Sequence, residues 1–356
     1  MTNSSDSPIN RATGATTRPT KYFIILTLAL IAAIGIIKMM PVSIIRLSSS
    51  SPTLNHTRQQ NTAAFARELG PVVAMTNSGN LDFAMNWVNS LRRVGVREWI
   101  IFATDDQTVA QLQKRVGSAE AQKIRRMPKS VYRGKSDKQH YQYRSAGWTE
   151  MMHSVPRLLR WLVFEEIKGP VLYSDTDIVW LEHPYSAFPA DFGKVWFDLI
   201  ASVDGRVFEA NPTECPEDGS FCGGLMYLQH SDRIAKLLDD WEIEITKSAD
   251  GKNQPAYNAA ISANRKTSGL KVHTLDCAAY VNGWRAFCPD IVSRKSKFTC
   301  KFDWSSYQNR SPVMIHATYT VGKDLKIERL KKRGLWRPYS TIDVELNSSW
   351  RVLRLG

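Results

Sequence analysis

Two carboxylates one residue apart follow a short apolar segment near the middle of the chain. Val171–Tyr173 carries the β-branched and aromatic residues of a buried strand, and Asp175 and Asp177 lie just beyond it. Because alternate side chains of an extended segment point to the same side, both carboxylates can converge on one cation. Their oxygen atoms suit Mg²⁺ or Mn²⁺. The pattern predicts a divalent-metal site, and the alternative is that the acids cap a turn or the next helix.

Strands and helices alternate around this acidic motif. Apolar runs predict strands at 71–77, 99–105, 197–203 and 221–228. Helical spacing predicts helices at 81–94, 108–116, 149–166 and 233–245, with Pro156 as a kink or restart in the third. The alternation predicts an α/β fold with a parallel sheet flanked by helices. Ligands bind at the carboxyl edge of such a sheet, which is where the two acids would lie.

A late apolar segment, Val313–His316, predicts another strand, and this one ends in a histidine. His316 is therefore a candidate third metal ligand, although a lone histidine often has a structural or surface role. Gly322, Lys323 and Lys326 follow within reach of a diphosphate at the same metal, unless they form a basic surface loop. Together these residues predict a site for a metal and a diphosphate.

The amino-terminal region has the pattern of a membrane anchor. Residues 1–21 are mostly polar, and 22–40 is a largely apolar stretch interrupted by Lys38. A membrane span needs about 20 such residues, so we predict an uncleaved transmembrane signal anchor rather than a cleaved signal peptide. Basic residues before the stretch favour a cytosolic tail at 1–21. A stem at 41–63, a body at 64–340 and a tail at 341–356 would then be luminal.

Charge and cysteine content restrict the environment and partners of the body. The formal net charge of +13 suits anionic partners such as nucleotide phosphates, and no nucleic-acid-binding module accompanies it. We therefore predict that the protein has no nucleic-acid partner. Its cysteines are Cys215, Cys222, Cys277, Cys288 and Cys300, without a C-x-x-C zinc pattern. An oxidising lumen predicts two disulfides and one free thiol, with Cys215–Cys222 as one plausible bridge.

A set of motifs occurs in order along the body. They are Thr76-Asn77 with Asn86-Trp87, Leu172–Leu181 with Pro184, Asp204, Gly224–Tyr227, Gln254 with Asn258, and His316 with Gly322, Lys326 and Gly334–Trp336. This ordered set, which covers about Val72–Trp336, resembles the nucleotide-diphospho-sugar transferase domain of glycosyltransferase family 77. That family includes retaining xylosyl-, arabinosyl- and galactosyltransferases.

The resemblance implies a GT-A-like nucleotide-binding sheet and a role for each matching residue. The residues that would bind Mn²⁺ (or Mg²⁺), and through it the donor diphosphate, are Asp175, Asp177 and His316. Those that would line the nucleotide pocket are Thr76, Asn77 and Asp105. Those that would contact the diphosphate are Gly322, Lys323 and Lys326. The candidate catalytic residues, which would face the sugar, are Asp204 and Gln254.

Two departures from the family pattern bear on activity. Asn253 stands before Gln254 where the family usually has an aspartate, so an obligate nucleophile at that position would be missing. A lysine that the family usually carries in the helix before the acid pair is replaced near Ser154–Pro156, where Arg157 could substitute or the donor contact could be lost. A structural alternative for Asp204 is a turn acid, and for Gln254 a helix cap.

The sequence thus predicts a single-pass type II Golgi membrane protein whose luminal glycosyltransferase domain occupies 64–340. Its expected activity is metal-dependent, retaining transfer of a sugar from a nucleotide-sugar, most simply a UDP-sugar, to a glycan or glycoprotein acceptor. One alternative is a catalytically impaired sugar-binding or scaffold protein of the secretory pathway, which Asn253 favours. Another is a phosphotransferase of the haloacid-dehalogenase type, which His316 disfavours because that class needs a late acidic pair.

Overall fold

The structure, a computed structural model, describes residues 69–134, 145–189, 192, 195–204, 220–247, 252–291 and 312–339. All of them fall within one compact unit, Arg58–Gly356. The predicted anchor at 22–40, its flanking segments and the tail at 341–356 lie outside the described residues. Among the residues that are described, no helix combines the length and apolar character needed to cross a membrane.

Within these ranges the chain forms ten strands. They are β1 (Val72–Thr76), β2 (Trp99–Ala103), β3 (Ile124–Arg126), β4 (Val171–Ser174), β5 (Ile178–Trp180), β6 (Leu199–Val203), β7 (Phe221–Leu228), β8 (Val272–Thr274), β9 (Tyr280–Val281) and β10 (Met314–His316). The α-helices are α1 (Leu81–Arg93), α2 (Asp106–Val116), α3 (Ala146–Trp161), α4 (Asp232–Lys247), α5 (Asn253–Thr267), α6 (Gly283–Ile291) and α7 (Lys323–Lys332).

A seven-stranded sheet in the order β3-β2-β1-β4-β7-β6-β8 forms the centre of the fold. The strands β3, β2, β1 and β4 are parallel, whereas β7 runs antiparallel to both of its neighbours, β4 and β6. The expected parallel sheet is therefore mixed. Strands buried on both faces have continuous apolar sequences in either orientation, so the sequence of β7 does not reveal its direction.

Helices cover both faces of the sheet, as the alternation predicts. Val72 and Ala74 of β1 pack on one face with side chains of α1 and α2. Val73 and Met75 point to the other face and pack with side chains of α3, α4 and α5. Alternate residues of the strand thus enter separate apolar clusters, which fixes its register. The α/β fold with a central sheet flanked by helices is confirmed.

A second, three-stranded sheet in the order β5-β10-β9 adjoins the strand ends that carry the candidate ligands. In it β10 runs antiparallel to β5, with His316 opposite Ile178, and parallel to β9. The sequence predicts the strand that ends at His316, but not that β5 would pair with it. This pairing joins a segment near the carboxyl terminus to the acidic motif.

The helix before the acidic motif begins earlier than predicted, and its last turn, which ends at Glu166 as predicted, is π-helical. It begins at Ala146 rather than 149, and residues 135–144 before it lie outside the described residues. Ser145 caps it by accepting a hydrogen bond from the backbone of Trp148. Pro156 lies buried inside the helix without ending it, and a π-helical turn, Leu162–Glu166, follows.

Candidate functional site

The two acids and the late histidine meet in space. Asp175 follows β4, Asp177 precedes β5, and His316 ends β10. The Nε2 atom of His316 lies 3.1 Å from Oδ1 of Asp177 and 3.7 Å from Oδ2 of Asp175. Each residue offers one ligand atom, and these three atoms lie within 4.8 Å of one another. This spacing allows all three atoms to bind one ion, as the resemblance implies.

Hydrogen bonds from the framework hold the acidic motif in place. The backbone N–H of Asp175 donates to the carbonyl of Gly224 in β7 at 2.8 Å, and the Tyr173 hydroxyl donates to Asp175 Oδ1 at 3.1 Å. Helix α1 supports both flanking strands, because Trp87 Nε1 donates to Ser174 Oγ at 3.0 Å and Ser90 Oγ accepts from the backbone N–H of Trp180 at 3.1 Å. The acids are therefore fixed before any ligand arrives.

A glycine behind the acids leaves room for them. A Cβ atom on Gly224 would lie 2.4 Å from Oδ2 of Asp175 and 2.5 Å from Cε1 of His316. Real carbon atoms do not approach so closely, so only glycine lets the strand pass behind both ligands. The position is inside β7, where glycine otherwise weakens a strand.

The charges around these side chains favour an added cation. Burial and the carboxylate of Asp177 raise the pKa of Asp175 to about 6. Burial alone would raise the pKa of Asp177, but Lys326 and His316 outweigh it and hold that pKa well below the ordinary value. Burial alone would lower the pKa of His316, whereas Asp177 and Cys222 raise it well above the ordinary value. A cation beside Asp175 would offset the burial and the charge of Asp177 and favour its ionised form, so the donor set fits a divalent metal.

The basic residues after Gly322 lie on helix α7 rather than on a surface loop. Gly322, with φ of +97°, is the residue before that helix and has no side-chain cap. Lys326 lines the cavity beside the acids and its Nζ donates to Asp177 Oδ2. Lys323 turns instead toward the carbonyl of Gly79, at 2.9 Å. Of the predicted diphosphate contacts, Gly322 and Lys326 therefore line the cavity, whereas Lys323 is not among its lining residues in the described ranges.

The two candidate catalytic residues contact each other directly, and both line the cavity beside the acids. Gln254 Nε2 donates to Asp204 Oδ2, and its Oε1 accepts from the backbone N–H of Gly223 at 3.4 Å. Gln254 therefore does not act as a helix cap. The second carboxylate oxygen, Asp204 Oδ1, is buried with no hydrogen-bond partner in the described part of the chain. Such an oxygen is an available acceptor for a polar group of a ligand.

The predicted nucleotide-pocket residues lie at the carboxyl edge of the sheet, but their side chains are buried in the protein. Thr76 ends β1, Asn77 follows it, and both are almost fully buried. Asp105 caps α2, because its carboxylate accepts from the backbone N–H of Thr108 at 2.7 Å and from the Thr108 hydroxyl. None of the three lines the cavity formed by the described residues. Asn80, one turn further on, does line it, and sequence reasoning missed it.

A cavity of about 590 Å³ surrounds the site. Its polar wall carries the acids, His316, Gln254 and Lys326, and other lining residues are apolar. Four of these apolar residues form an apolar wall from one face of α3; they are Trp148, Met151, Met152 and Val155. This volume suits a ligand of small-molecule size. The combination accommodates a molecule with both an anionic group and an apolar surface.

The two departures from the family pattern now have structural descriptions. Asn253 Oδ1 accepts from Trp241 Nε1 at 2.9 Å, so this side chain supports the start of α5 while it also borders the cavity. Arg157 binds Glu150, Glu242 and the carbonyl of Val131. It is not among the cavity-lining residues in the described ranges.

The predicted Cys215–Cys222 bridge is wrong. Cys222 is a free, buried thiol, and its Sγ lies 3.7 Å from Nδ1 of His316. It lies within β7, where its side chain faces the site rather than a loop. Cys277 is disulfide-bonded. The spacing of cysteines along the sequence does not reveal which face of a strand a thiol occupies.

Comparison with known proteins shows which protein family the chain resembles. A family model described as nucleotide-diphospho-sugar transferase matches residues 94–330. A UDP-D-xylose:L-fucose alpha-1,3-D-xylosyltransferase from Arabidopsis thaliana is 22% identical over 333 residues, which cover 88% of this chain and 86% of the relative. A UDP-galactose:fucoside alpha-3-galactosyltransferase from Dictyostelium discoideum is 23% identical over 194 residues, covering 50% of this chain and 27% of that protein.

The fold was also compared with solved structures, and the similarity found there is weaker than the sequence similarity to the relatives above. The galactosyltransferase LgtC, crystallised with donor and acceptor sugar analogues, aligns with 79% of this chain and 99% of its own, at 14% identity and a TM-score of 0.48. A likeness of this size adds no argument to the sequence matches and to the geometry above.

Proposed function

The chain belongs to the nucleotide-diphospho-sugar transferase family, and from that premise we propose that it is a metal-dependent, retaining glycosyltransferase with a GT-A-like fold. The observation that carries the proposal is the meeting of Asp175, Asp177, His316 and Lys326 at one wall of the cavity. Two acids, an imidazole and an ammonium group at one wall suit a metal and a diphosphate.

The metal site takes Mn²⁺ in this proposal, with Mg²⁺ as the weaker candidate. Mg²⁺ prefers oxygen ligands in a strict octahedron, whereas this set includes the Nε2 atom of His316. When bound, the metal supplies positive charge that stabilises the departing nucleoside diphosphate. Lys326, which contacts Asp177 in the described arrangement, adds a second positive charge beside the same leaving group.

Asp204 and Gln254 act at the sugar in this proposal. The unpartnered Oδ1 atom of Asp204 faces a positive charge as it develops on the anomeric carbon, and Gln254 fixes that carboxylate by donating to Oδ2. Asn253 takes no part as a nucleophile, since its Oδ1 is engaged by Trp241. We therefore assign the sugar-side chemistry to the Asp204–Gln254 pair.

The relatives' names suggest the substrates. The names of both relatives include a UDP-sugar donor and a fucose or fucoside acceptor. We propose UDP-xylose or UDP-galactose as the donor and a glycan or glycoprotein that ends in a fucose-like sugar as the acceptor. The apolar wall from α3 supports this choice, because a 6-deoxy sugar presents a methyl group that packs on Met and Trp side chains.

We place the enzyme in the Golgi membrane as a single-pass type II protein. The proposal follows from the sequence alone: a cytosolic tail at 1–21, an anchor at 22–40, a stem at 41–63, the luminal glycosyltransferase domain at 64–340 and a tail at 341–356. Sequons at Asn55, Asn309 and Asn347 agree with a luminal body. Glycosylation of these asparagines in cells would support the topology.

The activity test follows UDP release by the full chain in detergent. We expect release from UDP-xylose or UDP-galactose in Mn²⁺, faster with a methyl fucoside, and none in a chelator. Asp177→Ala should reduce turnover by about two to three orders of magnitude, the scale seen when a stabiliser of transition-state charge is removed. Asp106→Ala is the matched control, because 92% of that carboxylate-bearing side chain is exposed, on α2.

Other outcomes would lead to different conclusions. Full transfer in chelator would contradict the metal assignment. Binding of UDP-sugars without any release would favour the impaired sugar-binding protein, for which Asn253 is the main argument. The phosphotransferase alternative is set aside, since the chain belongs to a sugar transferase family and its third ligand candidate is His316 rather than an acid.

A further inference from the structure

We propose that Cys222 is a positioning residue that presents His316 to the metal. The inference rests on the proposed function, because it assumes that Asp175, Asp177 and His316 hold a divalent cation. Cys222 itself does not bind the ion in this proposal. It holds the imidazole from the side that faces away from the acids.

The geometry around the imidazole assigns different partners to its two nitrogen atoms. Nε2 faces the carboxylates of Asp177 and Asp175, at 3.1 Å and 3.7 Å. Nδ1 lies 3.7 Å from Sγ of Cys222, within the range of a hydrogen bond to sulfur. The ring is only 4% exposed, so both contacts are shielded from solvent. Nε2 is therefore the nitrogen that a cation placed between the imidazole and the two acids would bind in place of a proton.

A histidine that binds a metal through Nε2 carries its proton on Nδ1, and that proton needs an acceptor. In metal sites a carboxylate, a backbone carbonyl or water usually accepts it and so fixes the tautomer and the ring orientation. Here the recorded partner of Nδ1 is the sulfur of Cys222. We infer that Cys222 has this accepting role, with a softer and more polarizable atom than the usual oxygen.

Strand β7 contacts two of the candidate metal ligands, Asp175 and His316, through neighbouring residues. The sulfur of Cys222 is also held by the backbone N–H of Gly224 at 3.4 Å, which limits the directions in which it can turn. The carbonyl of Gly224 accepts from the backbone of Asp175 at 2.8 Å, and its missing side chain leaves space for Asp175 and His316. The segment Cys222–Gly224 therefore forms the back wall of the metal site.

The proposal predicts a ranking among three variants of the full chain in detergent, titrated with Mn²⁺ alone. Free Mn²⁺ is counted from its electron paramagnetic resonance signal. Cys222→Ala removes the acceptor and should weaken Mn²⁺ binding about 10- to 100-fold, as loss of such outer partners does. Cys222→Ser keeps an acceptor at the same Cβ and should regain part of that loss. Ser202→Ala is the control, since it removes a buried hydroxyl that donates to Leu225 of β7 without touching His316.

The results separate this inference from the function on which it rests. If the unaltered chain binds no Mn²⁺, both are overturned. If it binds Mn²⁺ and Cys222→Ala binds as tightly, or if the serine and alanine variants are equally weak, only the role of Cys222 is overturned. A loss of the same size in Ser202→Ala would assign the effect to general loosening of β7 and would also overturn it.

A second measurement does not depend on the folding of a variant. In the unaltered chain with ¹⁵N-labelled histidine and the diamagnetic ion Zn²⁺, which accepts imidazole ligands, we expect the Nδ1 of His316 to carry a proton and Nε2 to be the metal-bound nitrogen. A protonated Nε2 or a proton-free Nδ1 in the metal-bound protein would overturn the proposal.

Discussion

Asp175 and Asp198 are both held inside the same fold, at opposite edges of the central sheet, yet their surroundings differ. Asp198 precedes β6 and is fully buried. The donors to its carboxylate are Trp196 Nε1, Ser231 Oγ, Arg233 Nε and the backbone N–H of Lys271, at 2.7–3.0 Å. Burial alone would raise the pKa of Asp198, but Arg233 and the other donors outweigh burial and lower it.

Asp175 lies at the other edge, after β4, with the opposite balance. Its recorded side-chain donor is the hydroxyl of Tyr173, and Asp177 adds a like charge beside it. Burial and Asp177 raise its pKa to about 6, although 36% of its side chain is exposed toward the cavity, so water reduces the effect. Protein donors satisfy the carboxylate of Asp198, whereas an added cation beside Asp175 is part of the proposed function.

The largest expected difference between the two acids is in catalysis. Asp175→Asn should lower turnover of a nucleotide-sugar by about two to three orders of magnitude, because it removes a metal ligand and thus charge stabilisation at the leaving group. The metal-free protein should unfold at the same denaturant concentration or a slightly higher one, since a like-charge contact with Asp177 is lost. Steady-state kinetics and urea unfolding measure both. Retained turnover would return Asp175 to a structural role.

A methyl group added behind the site should have the next largest effect. In Gly224→Ala the new Cβ would lie 2.4 Å from Asp175 Oδ2, so the carboxylate must move and Mn²⁺ binding should weaken about 10-fold or more. Gly223→Ala is the matched control in the same strand, because a Cβ there meets nothing within 4 Å. Calorimetric titration with Mn²⁺ compares the two. Equal affinities would contradict the close packing of β7 against the acids.

The same substitution at the structural acid should change stability instead. Asp198→Asn replaces charge-assisted hydrogen bonds by weaker ones and should lower the free energy of unfolding by about 2 kcal/mol. Turnover per folded molecule should stay unchanged, because the residue lies at the sheet edge opposite the cavity. Urea unfolding with a parallel activity assay tests this. A variant that loses activity without losing stability would break the distinction between the two edges.

The smallest expected effect concerns pH: the contributions of Asp175 and Asp198 to folding stability should change with pH in opposite directions. The folded-state pKa of Asp175, about 6, exceeds the ordinary 3.8, so its contribution to the stability of the metal-free protein is present below about 4 and lost as pH rises through about 6. The pKa of Asp198 is lowered, so its contribution is present above about 4 and lost as pH falls further.

Unfolding free energies of the unaltered chain and the two asparagine variants, measured from pH 3 to pH 7, should show these opposite differences. Mn²⁺ affinity should also fall as pH drops below about 6, because a proton on Asp175 competes with the metal. If the two variants shifted the pH profile in the same direction, the contrast between the acids would be wrong.

The comparison also shows what sequence patterns can predict. Apolar runs and polar strand ends placed Asp175, Asp177 and His316 at one edge of the sheet, because an acid or histidine that ends a buried strand is recognisable from its neighbours in the chain. The four donors of Asp198 come from separate segments, so no local pattern reveals that this acid, rather than Asp175, is fully paired.

Other contacts were also not predicted, because they depend on how separate segments pack rather than on a local pattern. The orientation of β7 and its pairing with β4 decide that Cys222 faces His316, and neither follows from its apolar sequence. Asp105 satisfies the strand-end pattern as well as Asp175 does, yet Thr108, three residues later, makes it a helix cap. Lys326 reaches Asp177 because its segment is helical, although the residues before it suggest a loop.

The pairing of β10 with β5 has a consequence for the order of events during synthesis. His316 follows Asp175 by about 140 residues, and Lys326 follows its partner Asp177 by 149. Closing so long a segment is slow and must await nearly the whole chain. A nascent or truncated chain would hold the acids without the histidine and the lysine. Metal affinity would then report that the last strand has docked, and a chain that had not finished folding would bind little nucleotide-sugar.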